Sequence, residues 1–360
     1  MSHRQTGRRS GLTSMTVNTG RRGFLVGTAA LGAGAFLAGC TSNEGDGGNE
    51  ANVAVGGDNA KPGKEVTIGF SAPAADHGWI AAITRNAEAQ AKAFEDVTLE
   101  KVEATNDIAK QISAVETLIN KKVSALVILP NDGKELTAVA QRATDAGIPV
   151  VNLDRIFGSP LAYRIWVGGD NYGMGVAAGN YIAERLKGKS NPVIAEIAGI
   201  DSLPLTQERS AGFRDALTKA GLRVANRVAA DFTAAGGQRV TSNLLQAAPR
   251  IDALWNQDDD QGLGVLAAIK QANRDEFFMV GGAGSANAMR EIKDDKSVLK
   301  ATVTYSPSMA SSAVSLARLV AQGKGMSDLV EKEIPKSITL ASETITKDNV
   351  DDYLKLGFES

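Results

Sequence analysis

The chain has 360 residues, 43% of them hydrophobic and 22% charged, which supplies ample apolar material for a core and excludes disorder over the whole length. Residues 1–39 hold Arg4, Arg8, Arg9, Arg21 and Arg22 and no acid, so the remainder carries 34 basic against 41 acidic side chains, a balance of −7 that argues against nucleic acid as a partner. With only His3, His77 and Cys40 of their kinds, the sequence rules out a four-cysteine zinc site, an iron–sulfur cluster and an internal disulfide framework, and argues against a histidine-triad hydrolase.

At about 100–200 residues per domain, the length predicts two domains. Before them lies an address. Arg21-Arg22 directly precedes an apolar stretch, Phe24 to Leu37, rich in Ala, Gly and Leu. As a helix it would extend about 21 Å, short of the roughly 30 Å hydrocarbon core of a bilayer. A basic flank, a short apolar region and small residues at its end describe an export signal. The paired arginines resemble the twin-arginine class, and Leu37-Ala38-Gly39-Cys40 resembles a bacterial lipobox. Residues 1–39 therefore read as a lipoprotein signal peptide, with Cys40 as the lipid attachment point. The plainer reading of Cys40 is a buried thiol after an apolar helix. Met15 is an alternative start. Residues 40–64, dominated by Gly, Asn and Asp, read as a flexible tether.

From Lys64 onward strand and helix alternate. Val66 to Phe70 predicts a buried strand, a helix spans about Gly78 to Phe94, and Val97 to Val102 is the next strand. Ile108, Ile112, Val115, Leu118 and Ile119 share one helical face. Ala125 to Leu129 is a strand stopped by Pro130-Asn131-Asp132-Gly133. A helix then runs to Ala146, and Ile148 to Leu153 is the fourth strand. After a break, Tyr163 to Val167 is a strand, Gly168-Gly169-Asp170-Asn171 a turn, and Met174 to Leu186 an amphipathic helix. Further strands fall near 192–198, 222–230, 251–256, 277–281 and 299–305. Helices fall near 204–219, 236–248, 259–273, 285–294 and 307–322. Continuous rather than alternating apolar strands imply parallel sheets covered on both faces. The fold class is therefore α/β, with two consecutive doubly wound units.

Ligands of such folds collect at the carboxyl ends of the strands. The loops expected there carry Asp76, His77 and Trp79; Asn152, Asp154 and Arg155; Gln207, Glu208 and Arg209; Asp231 and Phe232; Asn256 to Gln261; and Tyr305. Carboxylates accept from vicinal hydroxyls, Arg donates in a fork, and an aromatic face covers the C–H face of a sugar ring. Each has a duller reading: Asp258 or Asp259 as a helix N-cap, Trp79 as core, Asp154-Arg155 as a surface ion pair. Of the Asp258-Asp259-Asp260 run, Asp259 is expected mainly to cap the helix. No calcium loop is evident, and no cofactor or metal is expected. Gly282-Ala283-Gly284 lacks the third glycine of a dinucleotide fingerprint, and Gly262-x-Gly264 lies within a predicted helix, so a nucleotide enzyme is not the reading.

Over about residues 65–340 the sequence resembles the periplasmic sugar-binding proteins of the ribose-binding type. The resemblance rests on Ser71 with Asp76-His77-Gly78-Trp79, the run Gly147 to Arg155, and Gly168-Gly169-Asp170-Asn171. It also rests on Gln207 to Phe213, Ala230-Asp231-Phe232, and Gln257-Asp258-Asp259 before Leu263-Gly264. It implies ligand contacts at Asp76, Trp79, Asp154, Arg155, Arg209, Phe232, Asp258 and Tyr305. It also implies two lobes joined by a three-segment hinge, with crossings near Gly168–Asn171, Tyr305–Pro307 and Pro335–Thr339. The first lobe would take 65–169 and 306–335, the second 170–305 and 336–360. Departures are Asp76 and Asp258 where such proteins commonly have Asn, Tyr305 for Gln, Leu129 for a polar contact and Ala283 for Asp. They imply a different arrangement of hydroxyls: another aldose, a polyol, a cyclitol or an anhydrosugar.

The expected function is that of a monomeric, non-enzymatic substrate-binding lipoprotein. It would be held to the outer face of the cell membrane and deliver a sugar or polyol to the permease of an ABC importer. A receptor of the same fold that reports ligand to a membrane signalling protein is the other function this architecture serves. A helix-turn-helix repressor of the same core is disfavoured, because the export signal and tether occupy the place of its DNA-binding segment.

Overall fold

A computed structural model describes residues 59–326 and 334–360. The signal segment 1–39, Cys40 and the tether up to residue 58 lie outside the described residues. The first run of elements is β1 (Val66–Ser71), α1 (Gly78–Lys92), β2 (Val97–Lys101), α2 (Ile108–Asn120), β3 (Ala125–Ile128), α3 (Gly133–Asp145), β4 (Val150–Leu153) and β5 (Ile165–Gly169). The second run is α4 (Asn171–Arg185), β6 (Ile194–Ala198), α5 (Pro204–Lys219), β7 (Val224–Ala229), α6 (Ala234–Ala247), β8 (Ala253–Asn256), α7 (Asp259–Gln271), β9 (Phe278–Ala283), α8 (Ala286–Asp294) and β10 (Leu299–Thr304). The chain closes with α9 (Met309–Ala321), β11 (Ser337–Leu340), β12 (Thr344–Thr346) and α10 (Val350–Tyr353).

Two six-stranded sheets result, in the orders β11-β5-β4-β3-β1-β2 and β12-β10-β9-β8-β6-β7. Their central strands are buried on both faces: every residue of β3, β4, β6 and β8 is buried. This is why those strands read as continuous apolar runs rather than alternating ones. Every pairing is parallel except β10 with β12, which is antiparallel.

The chain passes between the sheets after β5, after β10 and after β11. These passages lie side by side. Asp170 N donates to Leu340 O at 2.9 Å, Thr304 N to Glu343 O at 2.8 Å, and Glu343 N to Thr304 Oγ1 at 2.8 Å. Such a cluster of adjacent strand ends can absorb a change of angle between lobes without disturbing either core.

The third passage differs from the expected one. β11 pairs with β5 through Ser337–Leu340, so 336–340 belongs to the first sheet, and the chain changes lobe only after Leu340. The strand is short and half exposed, which left no apolar run to read.

The tether also ends earlier than its composition implied. Residues 59–64 are fastened to α9. Arg318 donates to Asn59 O at 2.6 Å and Lys61 O at 2.9 Å, and Gln322 Nε2 to Lys64 O at 2.7 Å. Arg318 forks onto Asp96 with both contacts at 2.6 Å, and this pair holds the segment from beneath. The Arg318 bonds hold the Asp96 carboxyl well below the usual carboxylate range.

Candidate functional site

A narrow cleft is lined by His77, Trp79, Asp154, Arg155, Leu205, Arg209, Phe232, Asp258, Ala283 and Tyr305. Every lining residue sits at or just beyond the carboxyl end of a strand, and both sheets contribute. His77 and Trp79 follow β1; Asp154 and Arg155 follow β4. Leu205 and Arg209 lie on α5 after β6, and Phe232 follows β7. Asp258 follows β8, Ala283 ends β9 and Tyr305 follows β10.

On the first lobe, Asp154 has a left-handed backbone, φ 60°, a region that Asp tolerates better than most residues. Its Oδ1 accepts from the Tyr305 hydroxyl at 2.5 Å. Burial and the Asp154 carboxylate together push the Tyr305 phenol well above its ordinary pKa, so it stays a donor. Arg155 is steadied by one nitrogen, donating to Asn131 O at 2.8 Å and Pro130 O at 3.4 Å. Its Nε is buried with no hydrogen-bond partner. A donor left so costs about 1–3 kcal/mol, and an acceptor arriving in the cleft would recover that. Trp79 packs on Tyr305 with ring centroids 5.8 Å apart, and its Nε1 donates to Tyr305 O at 2.9 Å.

On the second lobe, Arg209 is 4% exposed and held at both ends of its fork: Nε to Asn171 Oδ1 at 2.9 Å, and a terminal nitrogen to Gln257 O at 3.3 Å. Its guanidinium stacks 4.5 Å over the Tyr305 ring and lies 5.9 Å from the Phe232 ring. Phe232 also has a left-handed backbone, φ 68°, a strained choice for a bulky residue. Its ring lies where a side chain at position 199 would be, because a Cβ on Gly199 would stand 2.0 Å from it. Gly169 serves Tyr305 in the same way, at 2.2 Å. Gly199→Ala is accordingly expected to displace Phe232 and weaken ligand binding about tenfold, the scale of overpacking; titration calorimetry against thermal unfolding would separate this from a loss of fold.

Asp258 does two things. It caps α7, its Oδ1 accepting from Gln261 N at 3.0 Å, and it also lines the cleft. Burial, then the neighbouring Asp260, push its carboxyl up to about 6, against the pull of His77, Gln261 N and Arg209.

Asp76 is placed differently from expectation. It does not line the cleft. It is exposed at the rim, with Oδ1 on His77 Nδ1 at 2.5 Å and Oδ2 accepting from Asn106 at 3.0 Å. His77 lines the cleft instead, its ring 6.3 Å from that of Phe232 in the other lobe. Burial pulls the His77 imidazolium down, but Asp76, Asp258 and Asp260 outweigh it, and its pKa lies above the usual histidine value.

Asp259 is not the helix cap. It is a buried clamp, accepting from Gly282 N at 2.9 Å, Gly284 N at 2.9 Å, Ser285 N at 2.8 Å and the Thr302 hydroxyl at 2.9 Å. It thereby fixes the β9–α8 loop that presents Ala283. Leu205 carried no polar signal in the sequence and was not expected at the cleft. Among the described residues, no cluster of three or more His, Cys, Asp or Glu could hold a metal, and no helix is long and apolar enough to cross a membrane.

Residues 68–325 match the family model described as a periplasmic binding protein domain. The chain belongs to the periplasmic binding protein family. It is a binding protein rather than an enzyme. The ribose import binding protein RbsB of Bacillus subtilis is 35% identical over 68% of this chain and 78% of the relative. Among solved structures, an ABC transporter solute binding protein from Mycobacterium smegmatis with bound glycerol is 28% identical, covering 82% of this chain and 99% of that one, with a TM-score of 0.73. Another M. smegmatis structure, in complex with β-D-fucofuranose, is 27% identical over 81% of this chain and 94% of that one, also at 0.73. Two parallel-sheet α/β lobes are the architecture these structures share with this chain.

Proposed function

We propose that this protein is the substrate-binding component of an ABC importer that captures a monosaccharide or related polyol between its lobes and hands it to a membrane permease. The observation that carries this is the cleft wall: two guanidinium groups, two carboxylates and three aromatic rings drawn from both lobes, with the Arg155 Nε donor unmatched. Charge in the wall is balanced. Arg155 and Arg209 face Asp154 and Asp258. A neutral ligand keeps that balance, whereas a net charge would be buried without a counterpart. The relatives named for ribose import and for solute binding in ABC transport support import over signalling.

The ligand contacts on this reading are Trp79, Asp154, Arg155, Arg209, Phe232, Asp258 and Tyr305, with His77 in the place first given to Asp76. A thermal-shift screen over D-ribose, D-allose and D-fucose, then polyols and cyclitols, tests it. A true ligand at 100 times its Kd stabilises the protein by about 2.7 kcal/mol. If no neutral sugar, polyol or cyclitol raises the unfolding temperature, the reading fails. Loss of uptake of that ligand on gene deletion would assign it to import, and an intact uptake with a lost transcriptional response would assign it to sensing.

The Leu37-Ala38-Gly39-Cys40 motif supports export followed by lipid anchoring. Cys40→Ala is expected to shift the protein from the membrane to the soluble fraction with an unchanged unfolding temperature. A wild-type protein that is already soluble and unacylated would remove the anchor from the proposal.

A further inference from the structure

Three consecutive carboxylates open α7, and each has a different partner. Asp258 caps its own helix and Asp259 clamps the β9–α8 loop, as described. Asp260, 3% exposed, reaches the other lobe: its Oδ2 accepts from Trp79 N at 2.8 Å. Its Oδ1 lies over Gly78, 2.7 Å from where a Cβ would be, beside the backbone of Glu359 and Ser360 at 2.5 Å and 2.7 Å. The first N–H groups of a helix have no partner within the helix. α1 supplies none from its own side chains: His77, at the N-cap, makes no capping bond, and the first turn holds no acid. The acceptor at the start of this first-lobe helix is thus a carboxylate of the second lobe. Asp260 itself does not line the cleft.

We infer that Asp260 is an interlobe latch, a positioning residue that caps α1 across the cleft and sets how long the lobes stay together without touching the ligand. The inference rests on the cleft being the ligand site. The bond exists only while the lobes meet, since opening returns Trp79 N to water. A carboxylate at a helix N-terminus is favoured by the helix dipole, and the bond is charge-assisted. His77 stands beside it on the first lobe, with Asp76 on its ring and Asp258 opposite. The latch therefore biases closure before any ligand contact is made. Apparent affinity scales with the fraction of molecules in the binding-competent form, so the latch tunes affinity and residence time from outside the pocket.

The test needs no ligand. Spin labels are placed at exposed positions on either side of the cleft, Lys134 and Ser202, with Cys40 replaced. Pulsed dipolar spectroscopy then reads the interlobe distances of the unliganded protein. The wild type is expected to hold a short-distance population that Asp260→Ala depletes about tenfold or more, the scale of one hydrogen bond to a charged group. Asp260→Asn, which retains a weaker acceptor, should fall between. Asp260→Asn keeps the volume of the side chain, so it also keeps the test alive should Asp260→Ala not fold. A purely structural role would lower the unfolding temperature and leave the distances alone. Identical distance distributions in the wild type, Asp260→Ala and Asp260→Asn would overturn the latch. Failure of the ligand screen with a retained distance shift would instead count against the proposed function.

Discussion

Asp154→Ala is expected to weaken ligand binding by about 100- to 1000-fold, or about 3–4 kcal/mol. A hydrogen bond to a charged group contributes roughly 1.5–3 kcal/mol, and this carboxylate has more than one to offer. Its Oδ1 accepts the Tyr305 hydroxyl, so truncation removes a ligand acceptor and also leaves that buried hydroxyl without its own. The backbone adds a separate cost. At φ 60° Ala is strained by roughly 1–2 kcal/mol, which appears in stability rather than in affinity. Asp154→Asn keeps the shape and tolerates the left-handed backbone, so it isolates the charge, and a loss of about tenfold is expected there. Calorimetric titration with the sugar found by screening measures the affinities, and thermal unfolding measures the backbone cost. Binding of Asp154→Ala within threefold of wild type would remove Asp154 from the site.

Arg318→Met is expected to destabilise the fold by about 3 kcal/mol, the lower end for breaking a buried ion pair from one side. The lower end applies because the carboxylate keeps two other donors, Gly63 N and Gln322. The substitution leaves the Asp96 carboxylate with Gly63 N and Gln322 as its remaining donors, and releases the carbonyls of Asn59 and Lys61. Affinity should be unchanged, since the clasp lies at the amino end of β1 and the cleft at its carboxyl end. The pair also predicts an acid dependence. Because the folded pKa of Asp96 is depressed, its contribution is present above the ordinary carboxylate pKa and is lost as pH falls toward the folded value. The wild type should lose more stability than Arg318→Met between pH 5 and pH 3 (roughly the carboxylate range). Urea unfolding at several pH values checks both. Equal acid slopes would mean that the pair contributes nothing to stability.

Strand and helix alternation was legible because buried parallel strands must be apolar on both faces. Val66-Thr67-Ile68-Gly69-Phe70 and Ala125-Leu126-Val127-Ile128-Leu129 admit few other readings. The strand-end loops followed from the fold class, and with them most of the cleft wall. What stayed hidden was hidden for particular reasons. β11 is held by pairing with β5 and alternates over only four residues, too short a run to mark a strand by itself. Residues 59–64 look like linker because backbone carbonyls, which no side-chain pattern reports, take the Arg318 bonds.

The sequence alone determined the fold class, the loops that carry the chemistry, and the family, since hydrophobic periodicity and short motifs are local properties. Only the tertiary structure decided which of two adjacent residues turns inward. His77 faces the cleft while Asp76 stays at the rim, because the Asp76 carboxylate is drawn to Asn106 across the loop. Likewise, Asp258, Asp259 and Asp260 are one run of identical letters. One caps its helix, one clamps a loop through the amides of Gly282, Gly284 and Ser285, and one reaches Trp79 in the other lobe. Successive residues in a helical turn point about 100° apart, and what each then meets is set by packing between elements that are distant in the chain.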